Sequence, residues 1–135
     1  VIPALIHRCY LAKENNEPFV VRGSGRPLRQ FIYSQDLAKL ILWTLFHYNK
    51  KDTIILSVGE NDEVSIGHVA KLIATNFDYA HQMVYDTQYS DGQYKKTADN
   101  SKLMSLGTGI EFTSIEVGIQ NSVQWFKDHY PYCRV

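Results

Sequence analysis

The chain has 135 residues, of which 44% are hydrophobic and 21% charged, so it is long and apolar enough to bury the core of one domain. Its 14 basic and 14 acidic residues give a formal net charge of zero, which argues against a general nucleic-acid binder because such proteins carry a basic excess. The sequence shows no signal peptide and no apolar run near the ~18 residues of a membrane span. We therefore expect a cytoplasmic protein without nucleic-acid or membrane partners.

The spacing of cysteine and histidine indicates neither a disulfide framework nor a metal site. Cys9 and Cys133 lie at opposite ends of the chain, and no CxxC motif is present. The five histidines show neither HxxxH nor HExxH spacing, so we read no metal ligands among them.

The first residues, VIPALIHRCYLAK, predict a helix over residues 3–14. Pro3 suits a first helical turn, and apolar residues recur after it at helical spacing. Because the sequence starts so close to a helix, we expect the chain to be part of a longer protein. A short strand over residues 19–21 follows and ends at Gly23.

A second helix is predicted from SQDLAKLILWTLFHY, ending near Tyr48. Ser34 or Asp36 is the expected N-cap, because their side-chain oxygens can accept from the N–H groups of the first turn. Residues 37–46 are apolar almost all round, and such a helix is buried on several sides. It is covered either within this domain or by a partner outside the chain. In the second case we expect the isolated chain to self-associate through this helix.

The remaining sequence alternates between predicted strands and helices, the pattern of an α/β fold. The apolar run TIILSV at residues 53–58 predicts a buried parallel strand, and residues 83–85 predict a short one. Two helices are predicted with N-caps at Ser65 and Ser114, and one or two helical turns before Gly107. Their predicted ranges are residues 66–77, residues 115 to about 130, and residues 99–106.

The stretch VVRGSGRPLRQF, residues 20–31, places two glycines and three arginines after a strand-like run. It does not fit the dinucleotide fingerprint GxGxxG, because Leu28 stands at the third glycine position and Pro27 lies inside the turn. Two readings stay open. One is a Gly-Pro turn with solvated arginines, and the other is a clamp in which arginine binds phosphate bidentately.

No catalytic motif is found in the chain. No tyrosine is followed by a lysine at the fourth position, as YxxxK requires; Tyr10 has Lys13 at the third position instead. No GxSxG motif is present either. Asp62 and Glu63 are expected to form a solvated turn. We therefore expect no catalytic, cofactor-binding or metal-binding residue in this chain.

Several stretches resemble the extended short-chain dehydrogenase/reductase family, in particular members that make GDP-L-fucose from GDP-4-keto-6-deoxy-D-mannose. They cover nearly the whole chain, in order. The stretches are VIPALIHRCYLAK, GSGRPLRQFIYSQDLA, IILSVGENDEVSI, YDTQYSDGQYKKTADNSKL and QWFKDHY. The resemblance implies that residues 1–135 are the C-terminal substrate-binding portion, and that an N-terminal Rossmann NADP-binding domain lies outside the chain.

The resemblance also implies an activity for the complete protein. Such enzymes epimerise C3 and C5 of the sugar and reduce C4 with NADPH, and a homodimer is expected. Their catalytic groups fall outside this chain, with the catalytic histidine immediately before Val1, and Cys9 does not match the catalytic cysteine. The chain alone is therefore expected to be inactive. Another nucleotide-sugar epimerase or dehydratase, and a non-enzymatic nucleotide-sugar-binding module, stay open as alternatives.

The family's substrate contacts map onto five residues of this chain. Arg8 matches a basic residue of the first helix, Arg29 an arginine near the diphosphate, and Asp91 an acidic residue that accepts from sugar hydroxyls. Arg22 stands where the family usually has tryptophan, and an arginine there can stack on guanine. Lys95 begins a basic pair for which a solvated loop is the alternative. Arg26, the third arginine of the loop, is expected to be solvated.

Overall fold

The structure, a computed structural model, describes residues 1–134. Its helices and strands alternate along the chain, which confirms the predicted α/β class. The helices are α1 (Ile2–Glu14), α2 (Ser34–His47), α3 (Ile66–Asn76), α4 (Ser101–Ser105) and α5 (Ile115–His129). The strands are β1 (Phe19–Arg22), β2 (Leu28–Arg29), β3 (Val64–Ser65) and β4 (Met83–Asp86), with short 3-10 turns at Glu60–Asp62 and Ala80–Gln82.

Strands β1 and β4 pair in parallel, with Phe19 opposite Met83 and Arg22 opposite Asp86. Parallel neighbours need a crossover connection, and here the chain between them includes α3, which contacts β1. Both strands end at the same edge. The turns that follow them therefore leave the sheet side by side.

A second, smaller strand pair positions the basic loop. Strand β2 runs antiparallel to β3, with Leu28 opposite Ser65 and Arg29 opposite Val64. On its other side Leu28 forms an isolated bridge with Lys95. Arg29 is thus held between the segment before α3 and the loop that follows β4.

The main core lies where α1, α3 and α5 pack together and against β1. The predicted caps of α3 and α5 are confirmed, since Ser65 Oγ accepts from His68 N (3.1 Å) and Ser114 Oγ from Val117 N (3.3 Å). The largest fully buried members of this core are Phe19, Val21, Val69, Ile73, Ile119 and Val123.

The predicted cap of α2 is wrong. The N-cap is Tyr33, without a side-chain hydrogen bond, and the first-turn residue Asp36 turns inward instead. Its carboxylate is 1% exposed and accepts from Thr113 N (2.7 Å) and Lys39 Nζ (3.3 Å). Asp36 therefore ties α2 to the segment that leads into α5.

For residues 1–134, the first of the two alternatives for α2, cover within this domain, is wrong. Leu40 and Asp36 are the buried positions of this helix, whereas Leu45 and Phe46 are 70% and 71% exposed, and Ile41 and Leu42 are exposed as well. The apolar residues thus form an uncovered face, and self-association through it stays a prediction. Every helix within residues 1–134 is too short or too polar to cross a membrane.

The strand predicted at residues 53–58 is absent. The backbone carbonyls of this stretch accept hydrogen bonds from side chains rather than from a neighbouring strand. The pairs are Gln30 Nε2 to Val58 O (2.8 Å), Asn100 Nδ2 to Ser57 O (3.0 Å) and Lys102 Nζ to Thr53 O (2.7 Å). An apolar run of strand length predicts a strand only when a partner ladder is available.

We predict that Asp36→Ala lowers the free energy of unfolding by about 2 kcal/mol at pH 7, because the half-buried Thr113 N–H loses its charged acceptor. Burial alone would raise the pKa of Asp36, but the bonds from Thr113 and Lys39 outweigh it and lower the pKa. The stabilisation that Asp36 contributes is therefore fully present above pH 4, roughly the ordinary pKa of an aspartate, and is lost as the pH falls through the lowered pKa.

Urea denaturation at pH 7 and at lower pH measures this difference between the wild type and the variant. Asp128→Ala is the control, because Asp128 lies on the exposed side of α5 and should change stability by roughly 0.5 kcal/mol or less. Equal losses for the two variants would show that the Asp36–Thr113 bond does not stabilise the fold.

Candidate functional site

A cavity of about 290 Å³ lies between the start of α1 and the carboxyl end of β1. Four of the five residues singled out from the sequence, namely Arg8, Arg22, Arg29 and Asp91, line this cavity. Apolar side chains, Leu5, Val21 and Ile66 among them, form the rest of its wall. Three cationic side chains and one carboxylate thus line the cavity, and their excess of positive charge suits an anion that carries more than one negative charge.

The first two arginines come from α1 and β1, which pack against each other. Arg8 Nη1 lies 3.5 Å from Val20 O, so the side chain rests along the strand. Arg22 is the last residue of β1, and its guanidinium carbon lies 4.7 Å from the centroid of the Tyr89 ring. The Tyr89 ring thus supports one face of the guanidinium by a cation–π contact.

The third arginine is anchored to the loop after β4. Arg29 Nη1 donates to Leu28 O (2.6 Å) and Nη2 donates to Gln93 O (2.8 Å), with a longer contact to Tyr94 O (3.4 Å). The guanidinium carries more N–H groups than these bonds use, so part of its donor fork stays available to an anion.

Asp91 closes the turn that holds the arginines. Its two carboxylate oxygens accept from Ser24 N and from Ser24 Oγ, both at 2.6 Å, and Ser24 Oγ accepts in turn from Arg26 N (3.1 Å). The bonds from Ser24, helped by the charge of Arg26, hold the pKa of Asp91 below its ordinary value. The carboxylate is therefore ionised at neutral pH.

The glycine turn does not fit the pyrophosphate of a dinucleotide. In a dinucleotide loop the N–H groups of the following helix face the pyrophosphate. Here the glycine turn leads into strand β2 (Leu28–Arg29), and the next helix, α2, begins only at Ser34. No cluster of three or more His, Cys, Asp or Glu residues suited to a metal occurs within residues 1–134.

Comparison with known proteins identifies the relatives of this chain. The model of the NAD dependent epimerase/dehydratase family matches residues 1–59. A GDP-L-fucose synthase of Dictyostelium discoideum is 52% identical over 134 residues, which are 99% of this chain and 42% of that protein. A probable GDP-L-fucose synthase of Drosophila melanogaster is 45% identical, over 99% of this chain and 44% of that protein.

Over nearly its whole length the chain is similar to part of the GDP-L-fucose synthases. A crystal structure of a GDP-L-fucose synthetase from Naegleria fowleri superposes with a TM-score of 0.96 at 47% identity, covering 100% of this chain and 41% of that one. A second crystal structure of a GDP-L-fucose synthetase from that organism is bound to NADP. The resemblance to the extended short-chain dehydrogenase/reductase fold is thereby confirmed, and the chain spans about two fifths of the length of these relatives.

Lys95, the fifth residue carried over from the family, is not among the residues that line the cavity. It pairs with Glu60 and, at 3.4 Å, with Glu63, and these contacts, the Glu60 bond first, raise the pKa of the ammonium group. The solvated turn predicted at Asp62 and Glu63 is wrong for Glu63, whose side chain is 4% exposed and also accepts from Thr97. A substrate contact of Lys95 stays a prediction.

Sequence reasoning missed Ser24 and Tyr89, which hold Asp91 and Arg22 in place. The resemblance to the GDP-L-fucose synthases pointed to Asp91 and Arg22, yet their partners lie 67 residues away along the chain. The parallel pairing of β1 and β4 brings these pairs together, and no short sequence pattern predicts that register.

We predict that Gly25→Ala destabilises the protein more than Gly92→Ala does. Both glycines have positive φ, +73° and +69°, so the cost of about 1–2 kcal/mol for a left-handed alanine is common to both. A Cβ on Gly25 would lie 2.5 Å from Tyr85 Cε1 and 3.1 Å from Gly67 Cα, whereas a Cβ on Gly92 meets nothing within 4 Å.

The extra crowding should add about 1–3 kcal/mol for Gly25→Ala. Chemical denaturation of both variants measures the difference. If the two variants lost the same stability, the close packing of the glycine turn on Tyr85 and α3 would be excluded as a constraint on the site.

Proposed function

We propose that residues 1–135 are the substrate-binding portion of a GDP-L-fucose synthase and that the arginine-lined cavity binds the diphosphate of a GDP-sugar. The observation that carries this proposal is the convergence of Arg8, Arg22 and Arg29 on one cavity, in a chain that is 52% identical to a GDP-L-fucose synthase. The planar donor fork of arginine matches two phosphate oxygens at once, which gives both affinity and orientation.

In the complete protein, the proposed reaction converts GDP-4-keto-6-deoxy-D-mannose to GDP-L-fucose by epimerisation at C3 and C5 and reduction at C4. NADPH, when bound, supplies the hydride for the reduction. We propose that an N-terminal Rossmann domain outside this chain holds it, because the relatives are more than twice as long and the glycine turn here leads into a strand, unlike the turn of a dinucleotide-binding loop, which leads into a helix. We further propose a cytoplasmic, homodimeric protein.

The residues of this chain bind and orient the nucleotide sugar. Arg8 and Arg29 are proposed to contact the diphosphate, since both face the cavity and keep part of their donor sets free. Asp91 is proposed to accept from a ribose or sugar hydroxyl, because its oxygens have more lone pairs than the two Ser24 bonds use.

The size of the cavity indicates which part of the ligand it encloses. At about 290 Å³ it lies at the lower end of ligand pockets, which run from roughly 300 to 1,000 Å³. It can therefore enclose the diphosphate but not a whole nucleotide sugar. The base and the sugar are expected to extend out of the cavity in opposite directions.

Two measurements on the complete protein test the proposal. Titration calorimetry with GDP, UDP and dTDP should show preferential binding of GDP, and incubation with NADPH and GDP-4-keto-6-deoxy-D-mannose should yield GDP-L-fucose. Preference for UDP or dTDP would instead identify another nucleotide-sugar enzyme. Binding of GDP without turnover would identify a non-enzymatic binding module.

We predict that Arg29→Ala in the complete protein raises KM for the nucleotide sugar by roughly 10- to 100-fold and leaves kcat nearly unchanged. The lost charge-assisted bonds are present in the ground state and the transition state alike. Their usual strength of about 1.5–3 kcal/mol gives that range.

The matched control is Arg26→Ala, which removes the same charge from an exposed residue of the same loop that is not among the residues lining the cavity. Steady-state kinetics of both variants separate a specific contact from a general loss of positive charge. An unchanged KM for Arg29→Ala would mean that the arginine only braces the loop.

A further inference from the structure

We propose that Arg22, supported by the Tyr89 ring, reads the guanine base of the nucleotide through its O6 and N7 atoms. This inference rests on the proposed function, because it takes a nucleoside diphosphate in the arginine-lined cavity as given. It assigns a base-recognition role to a residue pair, Arg22 and Tyr89, on the rim of that cavity.

The fold brings the two side chains together through the paired ends of β1 and β4. Arg22 and Asp86 are opposite each other in the parallel register. The carbonyl of Asp86 accepts from Gly23 N (2.8 Å) and, at 3.4 Å, from Tyr89 N. One carbonyl therefore holds both turns, and the second turn folds Tyr89 back beneath the guanidinium of Arg22.

The N–H donors of the Arg22 guanidinium are not used within residues 1–134. Arg22 makes no side-chain hydrogen bond or ion pair with the residues from 1 to 134, whereas Arg29 already donates to Leu28 O and Gln93 O. The cation–π contact with Tyr89 uses none of the N–H donors of Arg22, so they remain available to a ligand. The contact also restricts the side chain before a ligand binds, which reduces the conformational freedom lost on binding.

A free and fixed donor fork matches guanine. Its O6 and N7 are adjacent acceptors, and the bidentate contact from arginine to these atoms is the commonest base-specific contact of arginine. Adenine presents an amino donor in place of O6, so the same fork meets an N–H group. The pyrimidines have no N7 atom and therefore do not present the O6/N7 pair.

The location of Arg22 fits a base rather than a phosphate. The residue lines the cavity, yet it is exposed, and its partner Tyr89 is exposed as well. Arg8 and Arg29 line the same cavity and are less exposed than Arg22. Because the cavity encloses about the volume of a diphosphate, a base attached to that diphosphate reaches the rim where Arg22 and Tyr89 lie.

Base analogues test the contact atom by atom on the complete protein. Titration calorimetry should give similar affinities for GDP and IDP, which share O6 and N7. The affinity of 7-deaza-GDP, which lacks N7, and of ADP should be lower by roughly tenfold or more. Equal affinities for GDP, 7-deaza-GDP and ADP would overturn the proposal.

Substitutions of Arg22 and Tyr89 test whether these two residues cause the preference for GDP over ADP. Arg22→Met should abolish the preference for GDP over ADP, and Arg22→Lys should do the same while keeping the charge, since lysine has no planar fork. Tyr89→Leu should lower GDP affinity by about 2- to 5-fold. Arg26→Met is the control and should leave the affinities of all four nucleotides unchanged, with thermal denaturation confirming that each variant is folded.

The outcomes separate this inference from the proposed function. If Arg22→Met weakens GDP and ADP equally, Arg22 contacts phosphate and the base-reading role is wrong. If at the same time Arg29→Met still weakens GDP, the proposed function stands. If the protein binds no nucleoside diphosphate, or binds it without regard to Arg29, both proposals fail together.

Discussion

The parallel pairing of β1 with β4 is the constraint on which the candidate site depends. It joins residues that are more than 60 positions apart and sets Arg22 opposite Asp86. Because parallel strands end at the same edge, the turn around Ser24 and the loop around Asp91 leave the sheet as neighbours. Strand β1 also packs on α1, which carries Arg8. A register shift of one residue would therefore separate Ser24 from Asp91 and Arg22 from Tyr89.

The site shows how a chain without net charge can present a concentrated positive surface. Each basic group is either neutralised locally or left available according to its partners. Lys95 is paired with Glu60 and Glu63, whereas Arg22 rests on an uncharged ring. The carboxylate at the cavity, Asp91, accepts two hydrogen bonds from Ser24 and forms no ion pair with the arginines that line the cavity within residues 1–134. The charges near the cavity, rather than the net charge of zero for the whole chain, determine which ligands the cavity attracts.

Features with local causes could be predicted from the sequence, and features with distant causes could not. The caps at Ser65 and Ser114 depend on residues within one helical turn, and both are present in the structure. The inward turn of Asp36 depends on Thr113, which lies 77 residues away. The strand expected at residues 53–58 needed a neighbouring ladder, and side chains such as Gln30 hold its carbonyls instead. The arginines of the site were predicted by resemblance, yet Tyr89 was not, because its role exists only in the folded register.

The Ser24–Asp91 bonds lie between the two parts of the site that are proposed to contact the two ends of the ligand. On one side of this turn lies Arg22, with its ring partner, and on the other lies Arg29, bonded to the loop that carries Asp91. The loop from Tyr89 to Tyr94 thus contacts both arginines. A movement of this loop would change the distance between Arg22, the proposed contact of the base, and Arg29, the proposed contact of the diphosphate. The carboxylate can close the turn and still accept from a ligand hydroxyl, because each of its oxygens has a second acceptor site. In the proposed binding mode, a nucleotide sugar that fills all three positions would order this loop more than free phosphate would, because it contacts both ends of the loop.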